Sequence, residues 1–184
     1  MSSLGISVLA VLNEGPTHPY EMLQKLRRRH DDRIVRVRPG SLYHVVEWLR
    51  TRNLVEVVAT GRAGNRPERT AYRITSAGDA ALRARIRELI GCPAAETSPL
   101  LVALAESHNL FRVGVLDALR QRAEALEAQL AELDGLIDTA RAEGSGEAHW
   151  LSLDYLRVLT AAELEWARGL SSRIDSGEVA WPQA

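Results

Sequence analysis

The chain has 184 residues, of which 46% are hydrophobic and 26% charged, and its formal net charge is −1. This composition is typical of one ordinary globular domain or two small ones, and it excludes a disordered tail. The single cysteine, Cys92, excludes an intrachain disulfide, and no Cys/His cluster has the spacing of a zinc site.

The near-zero net charge hides two halves of opposite sign. Residues 1–90 carry 16 Lys and Arg against nine Asp and Glu, whereas residues 91–184 carry seven against 15. A basic half joined to an acidic half favours a polyanion as the partner of the first half. Arginines that merely decorate exposed helix faces would give the same counts, so charge alone leaves both interpretations open.

A first helix is predicted where apolar residues recur at helical spacing from Leu4 to Leu12. This segment is too short to span a bilayer and has no basic flank, so we expect a cytoplasmic protein without a membrane partner. Gly15 and Pro16 break the helix, and Pro19 starts a second one at its first position. The predicted buried stripe of the second helix consists of Tyr20, Leu23 and Leu26.

A third helix is predicted from about Gly40 to Arg52, and Asn53 can adopt the left-handed conformation that ends it. The β-branched segments 55–60 and 70–74 follow, separated by a loop with two glycines and a proline, which predicts a hairpin. Thr75 is a suitable N-cap for a fourth helix. A helix followed by a hairpin with an arginine-rich tip predicts a winged helix-turn-helix, which places the helix in the DNA major groove and the tip on adjacent backbone or minor groove.

The candidate DNA contacts fall at the third helix and at the hairpin tip. The first turn of the helix offers N–H groups and a hydroxyl to phosphate, and the side chains beyond it can reach base edges, including a glutamate that could accept from a cytosine amino group. The arginines of the tip suit a narrow minor groove. A capped helix beside a solubilising loop is the alternative interpretation. The predicted contacts are Arg38, Ser41, Tyr43, His44, Glu47, Arg62, Asn65, Arg66 and Arg69.

The second half is predicted to be helical throughout, after a domain boundary near residues 91–93. A short helix is expected over about Ser98–Ser107, a long one over about Val113–Ala142 and a last one over about Ala148–Ile174. The apolar residues of the long helix recur in alternating steps of three and four, which is the heptad pattern of a coiled coil.

A helix of about 30 residues is about 45 Å long, more than a small domain covers alone, so we expect a partner chain in addition to packing on the last helix. A symmetric homodimer is the commonest solution, and it would set two recognition helices about 34 Å apart on a palindromic operator. The predicted dimerisation residues are Leu116, Leu119, Leu126, Leu130, Leu133, Ile137, Trp166 and Leu170.

Three aromatic residues of the acidic half, Trp150, Tyr155 and Trp166, define a candidate effector pocket at the dimer interface. Core or interface anchoring is the alternative role for these side chains. The five histidines are scattered, and no catalytic, metal-binding or cofactor-binding constellation emerges. We therefore predict no enzyme, no metal and no cofactor.

Together these elements predict a mainly α protein with a small β-hairpin wing. Residues 1–90 form a winged helix-turn-helix, and residues 91–184 form a helical, coiled-coil-like dimerisation domain. The segment from Ile6 to Leu82 resembles the winged-helix domain of the PadR family of bacterial transcriptional regulators. The motifs that carry this resemblance are residues 15–21, 39–43, 54–56 and 69–78. The second half is similar, more loosely, to the family's longer helical dimerisation domain through residues 119–122, the heptad helix and residues 163–166.

The resemblance implies a dimeric, sequence-specific DNA-binding regulator, usually a repressor that a small molecule or stress signal releases. Two positions depart from the family pattern, since Pro19 stands where glycine is common and His44 where proline is common. Because His44 lies on the predicted reading face, the target sequence does not carry over. A winged-helix adaptor that binds another protein without specific DNA readout is the second functional hypothesis.

Overall fold

The computed structural model describes residues 1–29, 34–35, 37–61, 69–93 and 98–181. Over these residues the elements follow the order α1-α2-α3-β1-β2-α4-α5-α6-α7, which confirms the predicted mainly α fold with a small wing. The chain divides into two compact units, Met1–Ala95 and Glu96–Ala184. No helix within the described ranges is long and apolar enough to cross a membrane.

Over its described residues, the first unit contains four α-helices and the hairpin. Its elements are α1 (Ser3–Asn13), α2 (Pro19–Arg28), α3 (Pro39–Thr51), β1 (Val55–Gly61), β2 (Arg69–Ile74) and α4 (Ser76–Gly91). Local signals set several of these boundaries. The Ser2 side chain accepts from the Gly5 N–H at 3.2 Å at the start of α1, and Pro19 occupies the first position of α2.

The core of the first unit is built around α1, which contacts α2, α3, α4 and β2. A helix with neighbours on several sides must be apolar over most of its surface. The α1 side chains with essentially no exposure are Val8, Leu9, Val11 and Leu12, and those opposite them on α2 and α3 are Met22, Leu26, Leu42, Val46 and Leu49.

The predicted buried stripe of α2 is wrong in one residue. Tyr20 is 61% exposed, whereas Met22, which the prediction omitted, is fully buried beside Leu23 and Leu26. Residues two apart lie about 200° apart around a helix, so α2 cannot bury both Tyr20 and Met22 against the same core. The Tyr20 hydroxyl instead accepts from Gln24 Nε2 at 3.2 Å on the surface.

The hairpin is antiparallel, with a register that runs from Val55 opposite Ile74 to Gly61 opposite Arg69 and an irregularity between Val57 and Ala59. On its other edge, β2 pairs with a single residue of the α1–α2 connection. The Thr17 N–H donates to the Tyr72 carbonyl at 3.1 Å, and the Tyr72 N–H donates back to Thr17 at 3.0 Å. This bridge fixes the base of the hairpin to the helical part of the unit.

A tight corner joins the end of α3, the base of the hairpin and the start of α4; we call residues 53–54 and 74–78 the wing corner. Asn53 has the predicted left-handed conformation, with φ of 56°. The Thr75 hydroxyl donates to the Asn53 carbonyl at 2.7 Å and accepts from the Gly78 N–H at 3.0 Å. A Cβ on Gly78 would lie 2.0 Å from the Leu54 carbonyl oxygen, so only glycine allows this close approach.

The second unit consists of α5 (Pro99–Ala105), α6 (Arg112–Ala142) and α7 (Leu151–Asp175), with short 3₁₀ turns at Ser107–Asn109 and Glu147–His149. The long helices α6 and α7 form an antiparallel hairpin. Ion pairs join the start of one helix to the end of the other and continue along the hairpin: Arg112–Asp175, Arg122–Glu163, Glu127–Arg168 and Asp134–Arg157.

Two apolar clusters hold this helical hairpin together. One joins Val115 and Leu119 of α6 to Ala167 and Ile174 of α7, and the Trp181 side chain packs against it. The indole N–H of Trp181 also donates a hydrogen bond to the Leu110 carbonyl at 2.9 Å, which fixes the position of this ring. The other cluster lies near the turn of the hairpin and contains Leu133, Ile137, Trp150 and Leu153.

Candidate nucleic-acid interface

The first turn of α3 is open at its N-terminus. Pro39 occupies the first position, and Arg38 precedes it with an extended backbone and no side-chain hydrogen bond to the helix. Among the described residues no hydrogen bond engages the Ser41 hydroxyl, and a Cβ added to Gly40 would meet nothing within 4 Å. The N–H groups of this turn and the Ser41 hydroxyl are therefore accessible to an anion such as phosphate.

The exposed face of α3 lies opposite its core face. Leu42, Val46 and Leu49 point into the core, and Tyr43, His44 and Glu47 are exposed, with Tyr43 at 57%. At 100° per residue, His44 and Glu47 lie near the middle of the exposed face and Tyr43 lies on its flank. The structure thus brings four predicted contacts, Ser41 among them, onto one accessible face.

An ion pair that the sequence analysis missed lies on this face. Arg50 donates from Nε to Glu47 Oε2 at 2.8 Å and from one terminal nitrogen to Oε1 at 2.6 Å. The hydrogen bond from Arg50 lowers the pKa of Glu47, which keeps this carboxylate charged. The i, i+3 spacing of a glutamate and an arginine in a predicted helix was the signal that could have revealed the pair.

The two flanks of α3 carry aromatic groups. On one, the Arg52 guanidinium lies 4.0 Å from the centre of the Trp48 ring, and both side chains are exposed. On the other lies Tyr72 of β2, whose pKa is raised first by burial and next by the nearby Glu47 carboxylate. The exposed face of α3 is therefore bounded by a cation–π pair and by the base of the hairpin.

The hairpin contributes a cross-strand ion pair, in which Arg73 donates to Glu56 at 2.6 Å. The predicted tip contacts Arg62, Asn65 and Arg66 lie outside the described residues. Arg69 is described only as the first residue of β2.

The predicted dimerisation residues divide into two groups. Within the chain, α6 already buries Leu119, Leu126, Leu133 and Ile137 as it packs on α7. The others retain exposed surface: Leu116, Leu130 and Leu170 are half-buried, and Trp166 is 43% exposed. Packing on α7 thus accounts for half of the predicted set.

The three aromatic residues of the candidate effector pocket do not come together in the structure. Trp150 is buried in the cluster near the α6–α7 turn, with the Arg141 guanidinium 5.0 Å from its ring centre. Tyr155 is 64% exposed, and Trp166 lies 16 residues from Trp150, or about 24 Å along a helix. A groove of about 560 Å³ does run between α6 and α7, but it is lined by other side chains: Leu116, Leu119, Arg120, Ala123, Glu124, Glu127, Ala167, Arg168, Ser171, Ser172 and Asp175.

Comparison with known proteins adds to this geometry. Residues 8–84 match the family model described as the transcriptional regulator PadR-like family. Over these residues the chain is similar to the PadR-like family of transcriptional regulators. The matched segment contains α2, α3, the hairpin and the wing corner, so the PadR-like segment holds the whole candidate interface of the first unit. No curated protein matches the sequence.

Solved structures show that the PadR-like fold extends over both units. A crystal structure of Bacillus subtilis PadR in complex with operator DNA has a TM-score of 0.79 at 16% identity and covers 94% of this chain and 99% of its own. Bacillus subtilis PadR in complex with p-coumaric acid gives a TM-score of 0.78 at 15% identity, and the match covers 94% of this chain and 98% of that protein. The PadR-like regulator BC1756 from Bacillus cereus gives a TM-score of 0.66 at 16% identity, and the match covers 94% of this chain and 98% of that protein.

Proposed function

We propose that this chain is a sequence-specific DNA-binding transcriptional repressor that acts as a homodimer. The observation that carries the proposal is the face of α3, where an uncapped first turn adjoins the exposed Ser41, Tyr43 and His44 within a PadR-like segment. The open N–H groups suit a phosphate, and the side chains beyond them suit base edges. The charge of residues 1–90, with 16 basic against nine acidic side chains, supports a polyanionic partner.

The homodimer rests on the apolar surface that the second unit leaves uncovered. Exposed apolar residues recur along α7 at helical spacing, and they form a stripe on the side away from α6: Leu151, Tyr155, Val158, Leu159, Ala162 and Trp166. None of the seven residues of α5 is buried either, although most are apolar. Exposed apolar surface of this extent favours an interface with a second copy.

Release by a small molecule is part of the proposal. Bacillus subtilis PadR has been crystallised both with operator DNA and with p-coumaric acid, and its fold matches over most of this chain. A ligand that binds one packing of the helical unit better than another would shift the spacing of the two reading helices and with it the operator affinity. We therefore expect p-coumaric acid or another small organic acid to be a suitable first probe.

DNA binding is tested by selecting bound fragments from a random pool and measuring affinity at several salt concentrations. The affinity should fall steeply with salt, because basic side chains displace counterions from phosphates. Replacing Arg66 and Arg69 together with alanine should weaken binding to most sequences, whereas Arg120→Ala in the acidic half should not. Unchanged affinity in the double variant would refute the role of the hairpin tip.

Dimerisation is tested by sedimentation of the full chain. Trp166→Glu places a charge within the exposed stripe of α7 and should produce monomers, whereas Gln121→Glu adds the same charge to α6 and should leave the dimer intact. Monomeric wild-type protein at micromolar concentration would refute the homodimer. The adaptor hypothesis requires that no DNA sequence is selected and that retention on heparin is weak.

A further inference from the structure

Glu47 occupies an unexpected place for an acidic residue. It lies near the middle of the exposed face of α3, opposite the buried Leu42, Val46 and Leu49. An unpaired carboxylate there would repel the phosphates on both sides of the major groove. The Arg50 side chain removes this difficulty, because it binds both oxygens of Glu47.

The geometry of the pair leaves one edge of the guanidinium free. Arg50 uses its Nε–H and one N–H of a terminal nitrogen to bind Glu47, at 2.8 and 2.6 Å. A guanidinium has five N–H donors in a plane, so three remain, and two of them point outward in parallel from the two terminal nitrogens. This outer edge matches the O6 and N7 acceptors of guanine, the pair of atoms that arginine binds most often in the major groove.

We propose that Arg50 reads a guanine through this outer edge and that Glu47 positions its guanidinium, so that the two side chains act as one reading unit. The inference deepens the proposed DNA-binding function and depends on it. Each Glu47 oxygen accepts a hydrogen bond from Arg50, so the proposal assigns the carboxylate to holding the guanidinium rather than to a cytosine amino group. Glu47 is thus a positioning residue, and Arg50 joins the candidate contacts.

Neighbouring groups support this arrangement. Tyr72 belongs to β2, where two backbone hydrogen bonds to Thr17 hold it, and after burial the Glu47 charge is the next cause that raises the Tyr72 pKa. Both members of the pair are about half exposed. An exposed pair at i, i+3 contributes little to stability, so the pair has little structural reason to lie on this face.

The test is a selection from a random DNA pool with the wild-type chain and four variants: Arg50→Ala, Arg50→Lys, Glu47→Ala and the control Arg83→Ala. Arg83 forms a comparable exposed helical ion pair with Asp79, at 3.0 Å on α4, so its loss controls for removing one such pair. Arg50→Ala should lose a guanine preference of about 5- to 150-fold at one base pair of each half-site. Arg50→Lys should not restore it, because lysine has no planar edge.

Glu47→Ala distinguishes positioning from direct reading. It should weaken the guanine preference at the same base pair that Arg50→Ala affects, and both variants should melt at the wild-type temperature. If Glu47→Ala instead removes a cytosine preference that Arg50→Ala retains, Glu47 reads DNA directly and the inference is overturned. An unchanged site in Arg50→Ala also overturns it while leaving the proposed function intact. Failure of the wild-type chain to select any sequence would refute both.

Discussion

Replacing Gly78 with alanine tests the wing corner. The added Cβ would lie 2.0 Å from the Leu54 carbonyl oxygen and 2.8 Å from Ile74 Cγ1. The oxygen belongs to the backbone and accepts from the Thr75 N–H at 3.1 Å, so it cannot rotate away as a side chain could. Overpacking of this kind costs about 1–3 kcal/mol or more. For a unit of this size, each kcal/mol lowers the melting temperature by about 4–8 °C.

The assay is thermal unfolding of the full chain, followed by circular dichroism, beside binding to the selected operator. Gly78→Ala should melt at least 4 °C below the wild-type chain, and its operator affinity should fall because the hairpin and α3 lose their fixed geometry. Gly40→Ala is the matched control, since its Cβ would meet nothing within 4 Å. It should melt at or slightly above the wild-type temperature. If the two variants have the same melting temperature, the close approach at Gly78 does not stabilise the wing corner.

Three further outcomes are expected. Leu119→Ala should destabilise the second unit by about 2–5 kcal/mol in urea unfolding, because Leu119 is only 5% exposed between α6 and α7. The control Gln121→Ala should change the free energy of unfolding by less than about 0.5 kcal/mol. A change as small as this in Leu119→Ala would contradict the prediction. Thr75→Ala removes the cap of α4 and its bond to Asn53, and should cost about 1 kcal/mol; retention of full stability would show that the cap is dispensable. Arg50 lowers the pKa of Glu47, so this carboxylate stays charged at pH values below the usual pKa of a glutamate. The ion pair is lost only as the pH falls through the lowered pKa. A carbon-detected NMR titration should show this low midpoint and its return towards the ordinary value in Arg50→Ala; equal midpoints would mean that the pair is absent in solution.

The boundaries of the first unit could be predicted because single residues determine them locally. Pro19 at a helix start, Asn53 at a helix end and Thr75 as a cap act through the backbone next to them, and all three lie where the sequence indicated. The exposure of Tyr20 and the burial of Met22 could not be predicted in this way. Two stripes were available on α2, one through Tyr20 and one through Met22, and only the position of α1 decides between them.

The second unit shows a different limit. A heptad identifies which face of a helix is apolar, but it does not say whether the face packs on the same chain or on another. In the structure α7 covers Leu119, Leu126 and Leu133, and exposed apolar stretches lie on α7 and α5. Trp150 and Tyr155 are likewise both aromatic and only five residues apart, but Trp150 is buried and Tyr155 is exposed.

The exposure of the candidate contact residues on α3 could be predicted from the sequence, whereas their contacts with DNA stay a prediction. Ser41, Tyr43 and His44 could be proposed as contacts because the opening turn of a recognition helix has a known orientation. The contact between Glu47 and Arg50 depends on the rotamers that the two side chains adopt, and sequence spacing alone allows but does not require it.

The wing corner also bears on how such a chain could be redesigned. The hydrogen bonds of Thr75 and the pairing of Thr17 with Tyr72 fix the base of the hairpin without using any residue between Gly61 and Arg69. Closing a longer loop costs only about 0.6 kcal/mol for each doubling of its length. We therefore expect that residues 62–68 can be exchanged for segments of other length and charge without loss of the hairpin base, so that their proposed contribution to operator affinity could be altered separately from the proposed base preference of α3.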